Sequence, residues 1–325
     1  MCTREDRRVY ASSLYAHVSI LRLFLYNKMN EKGWNVMKRK IAKGLMAASV
    51  LICCLFLVKE VFAGRFFPLY ETEAESASIP PRAVNSLSVS SEQTDVKIIA
   101  EARNDIAANM TGPAGKMFVQ SRGKTLNLKA KEKGFQFLNL FQRPLLIVRI
   151  PYDYHRDITV HTSNGSIAVD GNKGLSLAHL GVRSVSGNMS LKHVKTDVFE
   201  AKGLSGNLTA AGLAAKTGDV RLSSGHVGLQ HVAGALDVRV ASGSVDASLE
   251  TADAPVSVRL ASGSAAISLP KDGSFTVNAE TASGRIRPSY SFEKTSKEGG
   301  AFTGMKGSGA RPIDIKVTSG NIALQ

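Results

Sequence analysis

Cysteine is nearly missing: Cys2, Cys53 and Cys54 are the three present, and none follows position 54. The rest of the chain can hold no disulfide, and no Cys/His spacing of a zinc site occurs. Aromatic residues are only 6% of the 325, so any core must be aliphatic. No Gly-x-Ser-x-Gly, His-Glu-x-x-His or phosphate-loop motif is present, which removes the common signatures of acyl transfer, zinc proteolysis and nucleotide hydrolysis. With 29 Gly and 10 Pro the chain is not collagen-like. At 43% hydrophobic and 21% charged residues it is not disordered either.

What is present falls into unequal parts. Residues 1–63 carry 11 basic and 4 acidic residues, and residues 64–325 carry 30 and 23, so each part has an excess of seven positive charges. The basic density is highest before an apolar run. Lys38-Arg39-Lys40 and Lys43 precede Leu45 to Val58, which is free of charge, and Val61-Phe62-Ala63 follows Lys59-Glu60. A basic flank, an apolar stretch and a small residue have the form of an export signal. Fourteen residues are short for a span of about 20. Residues 41–63 reach that length if Lys43 and Lys59 extend toward the membrane surfaces. The expectation is a signal-anchor or transmembrane helix over 37–63 that holds the following chain outside the cell, with cleavage near Ala63 and secretion as the alternative. Residues 1–36 read as an extension, with translation expected to start at Met29 or Met37. Residues 64–84, with Glu71, Glu73, Glu75, Pro80 and Pro81, read as a linker.

The body is dominated by a repeat. Asn164-Gly165, Ser186-Gly187, Ser205-Gly206, Ser224-Gly225, Ser242-Gly243, Ser262-Gly263, Ser283-Gly284 and Ser319-Gly320 recur at about 20 residues, with one longer interval at the end. Five residues before each glycine stand Val160, Val182, Ala201, Val220, Val238, Val258, Ala279 and Ile315. Two residues after stand Ile167, Met189, Leu208, Val227, Val245, Ala265, Ile286 and Ile322. The residues between are mostly polar or small. This period-two alternation predicts strands with one face buried. A single repeat cannot bury that face, whereas a stack of repeats in register can. The prediction is an all-β parallel β-solenoid, or β-helix, of about 20-residue coils over 85–325. An antiparallel sandwich or barrel is the alternative, and it calls for turns every 8–12 residues. Residues 86–160 are less regular and read as a cap, with Phe135, Phe137 and Phe141 covering an open end. Residues 289–313, rich in Gly, Lys and Ser, read as a bulging loop.

The segments Ile147-Val-Arg-Ile-Pro-Tyr-Asp-Tyr and Ile158-Thr-Val-His-Thr-Ser-Asn-Gly-Ser-Ile, the serial Ser-Gly units, and the ending Ile313-Asp-Ile-Lys-Val-Thr-Ser-Gly-Asn-Ile are similar to the adhesin domain of LiaG-type bacterial envelope proteins. The resemblance covers about 85–325. It implies a membrane-anchored, extracytoplasmic β-solenoid with a link to envelope-stress response, and it brings no catalytic residues.

No catalytic, cofactor-binding or metal-binding residues are assigned. The histidines of the body are His155, His161, His179, His193, His226 and His231, and of these His193, His226 and His231 come nearest to a ligand set. Asp219, Asp237 and Asp246 are read as lying at different offsets from their glycines, which gives no carboxylate row for glycan cleavage. The basic residues are read as scattered, and with few aromatics this excludes nucleic acid as a partner. The expected function is an adhesion or interaction scaffold at the cell envelope, not an enzyme. Its expected partners are an envelope polymer, an anionic lipid surface or an envelope protein, with the membrane engaged through 41–63. A secreted polysaccharide-acting enzyme and a purely structural, self-associating protein are the alternatives.

Overall fold

The structure is a computed structural model, and it describes residues 76–112, 115–132 and 143–325. The extension 1–36, the anchor segment 37–63, the three cysteines and Phe135, Phe137 and Phe141 lie outside the described residues. Among the described residues seventeen strands form one sheet. In chain order they begin with β1 (Ser76–Ile79), β2 (Ser86–Ser91), β3 (Asp95–Glu101), β4 (Ile106–Thr111), β5 (Gly115–Arg122) and β6 (Thr125–Glu132). Next come β7 (Leu145–Pro151), β8 (Asp157–Thr162) and the long winding segments β9 (Ile167–Ser186), β10 (Met189–Ser205) and β11 (Leu208–Leu249). The last are β12 (Val256–Ser268), β13 (Phe275–Ser283), β14 (Ile286–Pro288), β15 (Lys294–Glu298), β16 (Ala301–Lys306) and β17 (Arg311–Leu324). No helix of the described residues is long and apolar enough to cross a membrane.

The alternation does what period two requires. Every residue five before a corner glycine is buried, from Val160, Val182 and Ala201 to Val258, Ala279 and Ile315. Parallel pairing stacks them in file: Ala201 faces Val182 on one side and Val220 on the other, and Val258 faces Val238 and Ile315. The all-β, mostly parallel sheet is consistent with the expected parallel solenoid, and it is not parallel throughout. Antiparallel pairing is confined to its two ends.

The Ser-Gly corners stack as tightly as the core. A Cβ on Gly187 would run into the carbonyl oxygen of Gly165, one on Gly206 into that of Gly187, and one on Gly225 into that of Gly206. The series continues through Gly243, Gly263, Gly320 and Gly284. Glycine recurs here because the next coil occupies the space of a side chain. Asparagines beside the corner add a second ladder: Asn188 Oδ1 accepts the Asn207 N–H at 3.0 Å, and Asn207 Oδ1 accepts the His226 N–H at 3.1 Å.

At both ends spatial order departs from chain order. β2 lies between β6 and β8, and β3 between β7 and β9, so the first coil is the second layer. β17 likewise lies between β12 and the pair β13–β14. The long last interval of the repeat is thus not an extra coil in series, because the chain makes the outermost coil first and then returns beneath it. The detour is not a loop, as the sequence suggested. β15 and β16 form an antiparallel hairpin, and β16 extends the sheet beyond β13. Phe275, Tyr290, Phe292 and Phe302 close this end in a chain of ring contacts 5.0–5.9 Å apart. Part of the expected linker is also structured. β1 pairs antiparallel with β4, and the Ser78 hydroxyl donates to Asp105 at 2.6 Å.

Candidate functional site

Strand alternation turns the residues five and three before each corner glycine inward, and those four and six before it outward. The position four before holds His161, Arg183, Lys202, Arg221, Arg239, Arg259 and Lys316. Parallel register makes this a single file: His161 pairs with Arg183, Arg183 with Lys202, Lys202 with Arg221, and Arg259 with both Arg239 and Lys316. The stacking of Gly243 on Gly225 sets Arg239 beside Arg221 by the same count. Glu280 ends the file beyond Lys316. At the strand spacing of about 4.8 Å, the six cations from Arg183 to Lys316 span about 24 Å. Six of the 30 basic residues of the body therefore stand in one file rather than scattered. Offsets counted from the glycines reveal the file without a structure.

A second file runs beside it, six before the glycine, with Glu200, Asp219, Asp237, Ser257 and Asp314. Asp219 and Asp237 share this offset, contrary to the sequence reading, and only Asp246 lies elsewhere. The two files are cross-linked. Lys202 Nζ is 2.9 Å from Glu200, Arg221 is 2.8 Å from Asp219, and Asp237 receives both Arg239 and, at 3.3 Å, Arg259. The hydrogen bond from Lys202 holds the Glu200 carboxyl below the usual carboxylate range, with His179 and Arg183 adding to the effect. Adjacent like charges in register repel, and the carboxylates offset part of that cost. Exposed pairs of this kind contribute about 0–1 kcal/mol each, so they explain how the file is tolerated better than why it exists.

The cations form one wall of an open groove of about 810 Å³ that runs along the stack. The facing wall is the file two before the glycine: Val185, Leu204, Ser223, Ala241, Ala261 and Thr318. Val185 and Leu204 expose 39% and 56% of their surface. No Phe, Tyr or Trp side chain lines the groove, and His161 is its one ring among the described residues. The histidines do not join it as a cluster. His193 and His231 occupy left-handed corners at φ 51° and 50°, in file with Gly212. His226 lies at the Ser-Gly corner, where its Nδ1 is 2.8 Å from Ser244 Oγ and 3.6 Å from Asp246. Among the described residues no three His, Cys, Asp or Glu side chains converge in a metal-holding group.

Known structures with the same coverage include a "putative adhesin" from Bacteroides fragilis. It is 10% identical over 78% of this chain and 98% of that chain, with a TM-score of 0.49. Another "putative adhesin", from Parabacteroides distasonis, is 12% identical over the same shares, with a TM-score of 0.43. No curated protein matches the chain. The family model described as Toastrack DUF4097 matches residues 84–325, and the chain belongs to that family.

Proposed function

We propose that this protein is a membrane-anchored, extracytoplasmic interaction scaffold of the bacterial cell envelope, with the cationic file and its groove as the binding surface. The observation that carries this reading is the file itself: six cations in register, on the outside, along one wall of a groove. Lys38-Arg39-Lys40 followed by the apolar run to Val58 supports export and retention through 41–63. An envelope polymer, an anionic lipid surface or an acidic face of an envelope protein would complement the charge. Glu200, Asp219 and Asp237 are all engaged by Lys or Arg, which favours binding over glycan cleavage by paired carboxylates.

The test is sedimentation of the full-length chain, in a non-ionic detergent, with isolated cell walls across a salt series. Capture of the chain on phosphatidylglycerol-coated beads under the same conditions is the second arm. Salt-sensitive retention by walls or beads is the expected result. Absence of retention by both would refute direct envelope binding. Protease access to the body in intact cells tests the topology.

A further inference from the structure

The arrangement of charge around the groove restricts what can lie in it. The cations stand one file wide, with the groove on one side and the carboxylates of Glu200, Asp219, Asp237 and Asp314 on the other. A planar anionic surface laid on this face would meet both files, and the acidic one would repel it. A strand one polymer wide avoids the conflict, because in the groove the cations stand between it and the carboxylates. The length of the file favours a polymer over a compact anion, since about 24 Å of register exceeds any single phosphate or carboxylate. Four of the six cations are arginine, whose planar fork grips phosphate or carboxylate oxygens in pairs. Asp219 and Asp237 engage Arg221 and Arg239 in the free protein, so a bound polyanion competes with these carboxylates for the arginine forks.

The opposite wall narrows the chemistry further. Val185, Leu204, Ala241 and Ala261 offer small apolar contact and no ring. Proteins that hold single-stranded nucleic acid stack successive bases on aromatic side chains, and among the described residues this groove has no Phe, Tyr or Trp and only His161 as a ring. Such a wall suits the carbon skeleton of a polyol or sugar chain.

Resting on the proposed function, we infer that the groove holds a single unbranched polyanion, a polyol or sugar chain with a repeated phosphate or carboxylate, lying parallel to the solenoid axis. The anionic groups bind the file from Arg183 to Lys316, and the skeleton packs on the small side chains opposite.

The test uses the full-length chain immobilised in non-ionic detergent. Four probes are passed over it: poly(glycerol phosphate), polygalacturonate, poly(dT) and phosphatidylglycerol vesicles. Binding of poly(glycerol phosphate) or polygalacturonate is expected, and which of the two binds identifies the anion. The affinity should fall with salt at a log–log slope of about −0.7 for each cation engaged. A triple variant, Arg221→Gln, Arg239→Gln and Arg259→Gln, should weaken binding about 10- to 30-fold and flatten the slope by about 2. Asp237→Asn releases Arg239 and Arg259 and should tighten binding about two- to fivefold, a gain that loss of folding cannot imitate. Lys97→Gln, on another face, should change nothing.

Undiminished binding by a folded triple variant would overturn the inference. So would poly(dT) or vesicles binding as tightly as the polyol and sugar polymers. Vesicle binding that the triple variant abolishes, with neither polymer bound, would overturn the inference while leaving the cationic file as the binding surface of the proposed function. Loss of all retention would remove both.

Discussion

Gly243→Ala tests the corner ladder most directly. Gly243 has φ 145°, and a Cβ there would strike the carbonyl oxygen of Gly225 in the coil beneath. Two costs add. A non-glycine residue in this conformation costs about 1–3 kcal/mol. Relieving the collision also moves two coils apart at the corner, which weakens the flanking interstrand hydrogen bonds, and losing two of them at about 1 kcal/mol each adds about 2 kcal/mol. The expected loss is about 3–5 kcal/mol. Gly123→Ala is the control, because Gly123 has φ 60° but nothing within 4 Å of the added carbon. It should cost only about 1–2 kcal/mol. Urea unfolding followed by far-ultraviolet circular dichroism measures both, and amide exchange locates the damage, which should centre on the coils around Gly225 and Gly263. Equal losses in the two variants would refute the argument that stacking, rather than turn geometry alone, requires glycine at the corner.

Removal of 311–325 takes out an inner layer, so the hairpin β15–β16 and β13 should lose their seat. Limited proteolysis should then cut within 269–310 while the coils before β12 stay resistant. Ile315→Ala, at a 1% exposed position in that layer, should cost about 2–5 kcal/mol in denaturant unfolding. Burial raises the pKa of Tyr154, whose hydroxyl donates to the Asp157 carbonyl at 3.2 Å, and Tyr154→Phe should cost about 1 kcal/mol. The Ser78 hydroxyl first, and then Arg103, hold the Asp105 carboxyl below its ordinary range. A depressed carboxylate stabilises the fold above its unfolded pKa, and that contribution is lost as pH falls through the folded one. The amide protection factors at Ser76–Ile79 should therefore fall at acid pH before those of the central coils do.

Much of this architecture is legible in single residues. The column from Val160 to Ile315 shows both strand phase and the buried face. Recurring glycine at one offset marks a corner, and the low aromatic content fits the narrow aliphatic interior. The order of the last coils is not legible, for a physical reason. Parallel pairing depends on the match of side chains across the ladder, and Ser262-Gly263 accepts Ser319-Gly320 as readily as a unit next to it in sequence. The hairpin β15–β16 is obscured by composition: every residue of Lys294–Glu298 is exposed, so an edge strand reads as a polar loop. The cationic file is a different case. Arg183, Lys202, Arg221, Arg239, Arg259 and Lys316 sit at one offset in plain view, but reading only the inward offsets passes over them. Asp219 and Asp237 likewise share one outward offset, six before the glycine, whereas Asp246 lies beyond the corner.

The two ends follow one logic. A solenoid coil at an open end exposes one edge of its ladder, and exposed edges invite further strands. Here the first and last segments of the body do not take the end positions. β2–β3 and β17 each have neighbours on both sides, and the outermost coils instead lead into antiparallel hairpins. The final strand at one end is β15, Lys294-Thr-Ser-Lys-Glu, whose charges disfavour another strand. At the other end the outer strand β5 carries Lys116 and Arg122, and the Lys131 ammonium stands 5.7 Å from the ring of its exposed Phe118. Charge on β15 and β5 opposes further pairing at those two edges, whereas β1, which among the described residues pairs only with β4, carries none. The cationic file has a set length, closed by Glu280 beyond Lys316 and leading at its start through His161 to Ser90. The columns, rather than the repeats in sequence, are the units of this molecule. The glycine ladder and the cationic file both cross the break in chain order between Gly263 and Gly320 without interruption.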